Sequence, residues 1–187
     1  MDDELYRATV AVLGDTGWDG LTLERVAERA GRSRVTLWRN GVTRDTLLHG
    51  LLRRLAEDFR DAMVPVLTAA GPPRDRLERA LHALCDVVDA HAGLLAVSDD
   101  IFHRAYEAGP VPVGFLDPLV VAVREARAAG QLRPHAAEVA RDDIEVADVL
   151  FNSVAWPYLH FRLRHGWEPA RARTLLFATV LDGTLTG

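Results

Sequence analysis

Apolar residues recur three and four positions apart along nearly the whole chain, and no stretch alternates strictly between apolar and polar side chains, so the pattern predicts helices and no sheet. The expected fold class is all-α. Leu5, Ala8, Val12 and Leu13 make one face of a first helix over 3–15, whose opening acids suit the positive end of the helix dipole, and Gly17 ends it. Thr22 has the position and chemistry of an N-cap for a short helix carrying Leu23, Val26, Ala27 and Ala30, closed by Gly31. Ser33 is a second N-cap. It opens a helix of about two turns over 34–39 that Asn40-Gly41 stops, after which Thr43 caps a long fourth helix. Leu47, Leu48, Leu51, Leu52, Leu55, Phe59 and Met63 form the apolar stripe of that helix, which persists to about Pro65 or beyond.

Gly71-Pro72-Pro73 is the clearest break in the chain. Helical patterning resumes through Leu77, Leu81, Leu84 and Val88 up to Gly93, and a further short helix is expected over roughly 94–107. The segment from Gly109 to Gly114 holds two prolines and two glycines and is expected to be a loop at the mouth of a cavity. Two more helices follow, one to about Ala129 and one over about 136–165, the second interrupted or bent at Pro157. A last helix starts near Pro169. Its Ala172, Leu175, Leu176, Ala178, Thr179 and Val180 cover more than one stripe, so one face is expected against the chain itself and another against a second copy in a homodimer.

The 187 residues, 49% hydrophobic and 26% charged, have the composition of a soluble globular protein able to bury a core. No run of eighteen apolar residues occurs, and Met1-Asp2-Asp3-Glu4 is acidic where a secretory signal would be basic, so a cytoplasmic protein without a membrane partner is expected. A single cysteine, Cys85, allows neither an intrachain disulfide nor a multi-cysteine zinc site. The net charge of -5 conceals a local asymmetry. Residues 1–28 carry seven acids against Arg7 and Arg25, whereas 29–44 carry Arg29, Arg32, Arg34, Arg39 and Arg44 and no acid. Such a window is the shape of a confined surface for phosphates, and equally of a solvated arginine-rich turn.

Thr22 to Arg39 has the layout of a helix-turn-helix, in which the second helix turns its N-terminal residues to base edges in the major groove. Ser33, Arg34, Thr36 and Arg39 have the short polar or basic side chains this requires. Ala8, Gly17-Trp18, Thr22, Val26-Ala27, Ala30-Gly31, Ser33, Thr36-Leu37-Trp38 and Arg44-Asp45 with Leu48 together resemble the N-terminal signature of tetracycline-repressor-like (TetR) transcriptional regulators. The resemblance covers about the first 48 residues. It implies a three-helix DNA-binding domain over 1–48, and over 49–187 a helical bundle that binds a small ligand and dimerises through its last two helices. It further implies base contacts from Arg34 and Thr36, and phosphate contacts from Thr22, Trp38, Arg39 and Arg44.

The chain departs from the family pattern at several positions. Val35 replaces a glycine close to DNA and can meet a thymine methyl; Arg32 replaces an apolar turn residue; Trp38 replaces a tyrosine and can either donate to phosphate or plug a gap between helices. Asn40-Gly41-Val42 replaces histidine, phenylalanine and proline, which removes an anchor between the third and fourth helices unless Val42 fills the space. In the C-terminal part Trp156 and Phe161, with Phe102, Tyr106 and Phe115 and with Phe59, Met63 and Cys85, are candidates to line a pocket for an apolar or aromatic effector; ordinary core packing explains any one of them as well. Asp99, Asp100 and His103 share a helical turn, a spacing that suits a metal less often than it marks a solvated face. No P-loop, GxGxxG after a strand or GxSxG elbow is present, so neither an enzyme nor a cofactor is expected. The expected function is a ligand-released repressor binding palindromic operator DNA as a dimer; the alternative is a module of the same fold that has lost tight DNA binding.

Overall fold

The computed structural model describes residues 1–96 and 116–186. Among these residues there are ten helices and no strand: α1 (Asp3–Thr16), α2 (Leu23–Arg29), α3 (Arg34–Arg39), α4 (Arg44–Thr68), α5 (Pro73–Ala90), α6 (Ala92–Leu95), α7 (Asp117–Ala128), α8 (Pro134–Glu138), α9 (Asp143–Arg164) and α10 (Pro169–Thr184). None is long and apolar enough to cross a membrane. The chain divides into two compact units, one of Met1–Glu57 with the residues from His91, the other of Asp58–Ala90 with the described residues from 116 onward. The division thus falls inside α4, later than residue 48, and α6 goes with the N-terminal helices.

In the first unit each short helix is bounded by local hydrogen bonds. The Asp2 carboxylate accepts from the Leu5 N–H at 2.9 Å, Thr22 from Arg25 at 3.4 Å and Ser33 from Thr36 at 3.0 Å. Thr43 and Thr46 cap α4 reciprocally, each side chain accepting from the other's backbone N–H at 3.1 and 2.8 Å. α2 and α3 end in the same way. The Arg32 N–H donates to Ala27 and the Gly31 N–H to Glu28; the Val42 N–H donates to Leu37 and the Gly41 N–H to Trp38. These are Schellman caps, which need a left-handed residue, and Gly31 and Gly41 supply it at φ 62° and 72°. The position where the family carries phenylalanine is therefore a helix stop here. Leu5, Leu13, Leu21, Val26, Leu37, Leu47 and Leu51 are buried in this unit, each contributing about 1.5–3 kcal/mol by leaving water. α6 packs on α1, with the Tyr6 hydroxyl 2.8 Å from Nδ1 of the buried His91.

In the second unit α5 packs on α7, α9 and α10, and α9 on α7 and α10. Its apolar interior includes Leu77, Leu81, Leu84, Leu119, Val123, Leu150, Val154 and Phe177. One polar cluster ties three helices together. Asp89 of α5 accepts from the Tyr158 hydroxyl of α9 at 2.5 Å, from Arg162 Nε at 2.9 Å and from Arg173 Nη2 of α10 at 3.1 Å. Arg173 also pairs with Asp86 at 2.7 Å. Burial pushes the Asp89 carboxyl up, but the Tyr158 and Arg162 donors and the neighbouring guanidinium charges outweigh it and hold it below the usual carboxylate range. Burial and the Asp89 carboxylate push the Tyr158 hydroxyl up to about 12.

Two expected boundaries differ. The helix over 136–165 is two helices, because Asp142 caps α9 by accepting from the Glu145 N–H at 3.0 Å while the Glu145 carboxylate accepts from the Arg141 N–H at 2.8 Å. Pro157 lies inside α9 without ending it. Gly93, expected as a boundary, sits within α6, and the rest of the helix expected over 94–107 lies outside the described residues, as do the 109–114 loop and Asp99, Asp100 and His103.

Two outcomes are expected. Gly41→Ala forces an L residue into a left-handed turn where its Cβ meets nothing within 4 Å, so the cost is pure backbone strain of about 1 kcal/mol, measurable by denaturant unfolding. The folded pKa of Asp89 is depressed, so its stabilisation is present above the unfolded value near 4 and is lost as pH falls through the folded value. Asp89→Asn should therefore destabilise by about 1.5–3 kcal/mol at pH 7, and the gap from wild type should shrink below about pH 4.

Candidate nucleic-acid interface

α3 holds on by one side chain. Leu37 is buried, while Arg34, Val35, Thr36, Trp38 and Arg39 are exposed, Val35 at 62% and Trp38 at 69%. Two large apolar side chains in water on a six-residue helix, interleaved with two arginines and a threonine, form a surface with unspent capacity for contact. Trp38 does not plug a gap between helices. Ser33 is engaged as the cap of α3, and its Oγ also lies 2.8 Å from Thr36 Oγ1; Thr22 is likewise engaged as the cap of α2.

The arginines of the acid-free window are not an open field of positive charge. Arg29 pairs with Asp15 at 2.6 Å, Arg32 with Asp2 at 2.8 Å and Glu4 at 3.1 Å, and Arg34 with Glu24 at 2.7 Å. The Arg32 hydrogen bond holds the Asp2 carboxyl below its ordinary range. Arg44 lies over the Trp18 ring at 4.0 Å, donates to the Trp18 carbonyl and comes within 3.9 Å of Asp19. Its guanidinium pins the start of α4 to the α1–α2 turn. Among the described residues Arg39 alone of the five carries no ion pair. Asp2, Glu4, Asp15, Asp19 and Glu24, separate from the window in sequence, are folded onto it in space. These pairs are exposed, so each holds by only about 0.2–1 kcal/mol and can open to a stronger anion.

Of the eight residues expected around an effector, five lie among the described residues. Phe59, Met63 and Cys85 are buried; Trp156 is 37% exposed, with its indole N–H donating to Asn152 at 3.2 Å; Phe161 stacks on Trp167 at 4.3 Å. Phe102, Tyr106 and Phe115 lie outside the described residues. Burial pushes the Cys85 thiol up to about 12, leaving it unreactive at neutral pH. A groove of about 370 Å³ lies between α5 and α10, lined by Arg74, Glu78, His82, Arg173, Phe177 and Asp182 among others. Arg74 and Asp182 pair across it at 2.5 Å, and His82 meets the Phe177 ring edge-on at 4.7 Å. Its sequence signal was the four-residue spacing of Arg74, Glu78 and His82 on one face of α5.

No protein-family model matches the chain, and no curated protein matches it. Solved structures do. The transcriptional regulator FadR of Bacillus subtilis, solved with stearoyl-CoA, superimposes with a TM-score of 0.77 over 96% of this chain and 97% of its own at 13% identity. The ketosteroid transcriptional regulator KstR2 of Mycobacterium tuberculosis gives 0.72 over 98% and 94% at 17% identity. A TetR-like transcriptional regulator of Rhodococcus sp. RHA1 gives 0.70 over 96% and 93% at 20% identity. The all-helical architecture thus has counterparts over 96–98% of the chain, and the fold is that of the TetR-like transcriptional regulators.

Proposed function

We propose that the chain is a ligand-responsive transcriptional regulator that reads operator DNA through the outward face of α3, acts as a homodimer in the cytoplasm, and represses until a small apolar effector releases it. The observation that carries this reading is the exposure of Val35 and Trp38 beside Arg34, Thr36 and Arg39 on the second helix of a helix-turn-helix. Arg34 offers a fork to guanine, Thr36 and Val35 methyls to thymine, and Trp38 and Arg39 donors to phosphate. Arg44 acts through Trp18 by fixing the base of α4, and the phosphate role falls chiefly to Arg39. A stripe at seven-residue spacing on α9, Val149 (63% exposed), Trp156 and Leu163 (48%), with Leu175 on α10, supports a face for a second copy. The stearoyl-CoA and ketosteroid named for the neighbours support an apolar effector, which would act by favouring a dimer whose two heads are wrongly spaced for the operator.

One observation favours a second reading, a ligand-binding or dimerisation module without tight DNA binding: four of the five window arginines are already engaged by acids or by Trp18. The two part in a titration of the purified protein against its own upstream DNA and a scrambled duplex over a range of salt. A preference of about 4 kcal/mol or more is expected for the native DNA. Absence of binding to either duplex at low salt would overturn the regulator in favour of the module. Arg39→Ala should weaken both duplexes alike and flatten the salt slope by about 0.9 per subunit, whereas Asp2→Asn with Glu4→Gln, which releases Arg32, should steepen it. Val149→Glu with Leu163→Glu should give a folded monomer by sedimentation and lose operator preference with it.

A further inference from the structure

Glu24 and Arg34 meet across the turn of the helix-turn-helix. Glu24 lies in the first turn of α2, Arg34 opens α3, and the two form an ion pair with Glu24 Oε1 2.7 Å from Arg34 Nε and both side chains more than half exposed. Among the described residues this is the one ion pair that reaches a side chain of α3. Asp15, Asp2 and Glu4 pair instead with Arg29 and Arg32, which end α2 and form the turn.

The atom through which the pair closes matters. A guanidinium has one Nε and two terminal nitrogens, and the two terminal nitrogens can form the end-on fork that matches O6 and N7 of guanine. A carboxylate on Nε restricts the side chain's torsions and leaves the terminal pair available for that fork. The same carboxylate lies beside the outward face of α3, where its charge would oppose phosphates and contribute nothing to sequence-independent affinity. A group that subtracts from general attraction while ordering a base-reading side chain serves discrimination.

We propose that Glu24 is a specificity-determining positioning residue, pairing with Arg34 at Nε so that its terminal fork is presented to a guanine edge while the carboxylate weakens the pull of phosphates on the same guanidinium. This rests on the reading of the chain as a DNA-binding regulator and adds a residue that the helix-turn-helix pattern does not mark.

The test is selection from a randomised duplex pool by the full-length protein, carried out for wild type, Glu24→Ala, Glu24→Gln, Arg34→Ala and the Glu24→Ala/Arg34→Ala double variant, with affinity for a scrambled duplex measured alongside. Arg34→Ala is expected to abolish a guanine preference of about tenfold at one position per half-site. Glu24→Ala is expected to lower that same preference about threefold or more, to leave other positions unchanged and to raise affinity for the scrambled duplex. Glu24→Gln keeps the side chain's size and removes the charge that makes the ion pair. It should lower the preference and raise the scrambled-duplex affinity as the alanine variant does, a loss that a merely space-filling role would not produce in a side chain of equal size, and it covers the case in which the alanine variant fails to fold. The double variant should match Arg34→Ala alone. The proposal is overturned if Glu24→Ala lowers preference at every position alike, leaves the Arg34 position at the wild-type level, or adds to Arg34→Ala in the double variant. A wild-type pool with no enriched sequence would overturn the DNA-binding reading itself, an outcome distinct from an enriched pool that is indifferent to Glu24.

Discussion

Leu37 is the only side chain that α3 commits to the interior, and everything this helix turns outward depends on that one anchor being enough. Six residues cannot hold a helix in water, since every backbone donor at one end and every acceptor at the other begins unpartnered. The chain solves this locally. Ser33 closes the front, the Gly41 turn closes the back, and the buried leucine ties the turn of helix to α2. With the backbone held by its ends and one contact, the other five side chains are released from packing duties. The rigidity of this outward surface therefore comes from its caps, and its chemistry is open to variation at little cost to the fold.

The charges follow a related economy. A cluster of arginines left open would bind any polyanion, and the surrounding acids reduce that attraction without removing it. Because each pair is solvent-exposed, it is weak enough to be exchanged for a better-placed partner. On the proposed reading, contact with nucleic acid is a competition between internal carboxylates and external phosphates. Such a competition favours sites where geometry is good over sites where only charge is present.

Much of the N-terminal fold was legible in the residues because its determinants are short-range. Thr22, Ser33 and Thr43 as caps, Gly17, Gly31 and Gly41 as stops, and the leucine stripe of α4 all act within a few positions of where they stand. The Asp142 and Glu145 cap was equally local and was missed, its acids being absorbed into the pattern of one long helix. What could not be read was pairing at a distance. The positive window looked uncovered because Asp2, Glu4, Asp15 and Glu24 come earlier in the chain, and only the folding of α1 and α2 carries them to the arginines. The aromatic residues expected around an effector were chosen by chemical type, which is written in sequence, whereas convergence is a property of tertiary packing. The groove of Arg74, Glu78 and His82 shows the converse, a location announced by spacing but carrying charges that resemble an ordinary wet helix face.

The Asp89 cluster has a consequence for how such a chain can change over generations. One carboxylate answers to a tyrosine and two arginines from two other helices, so no single replacement at Asp89 leaves its neighbours satisfied. Replacing Arg162 or Arg173 first is milder, because the carboxylate keeps its remaining donors. Drift at this seam is thus ordered in time: the periphery can be exchanged stepwise, and the centre only after it. Lineages sharing the bundle should preserve the acid longest, and where they have lost it both guanidinium partners should already be gone.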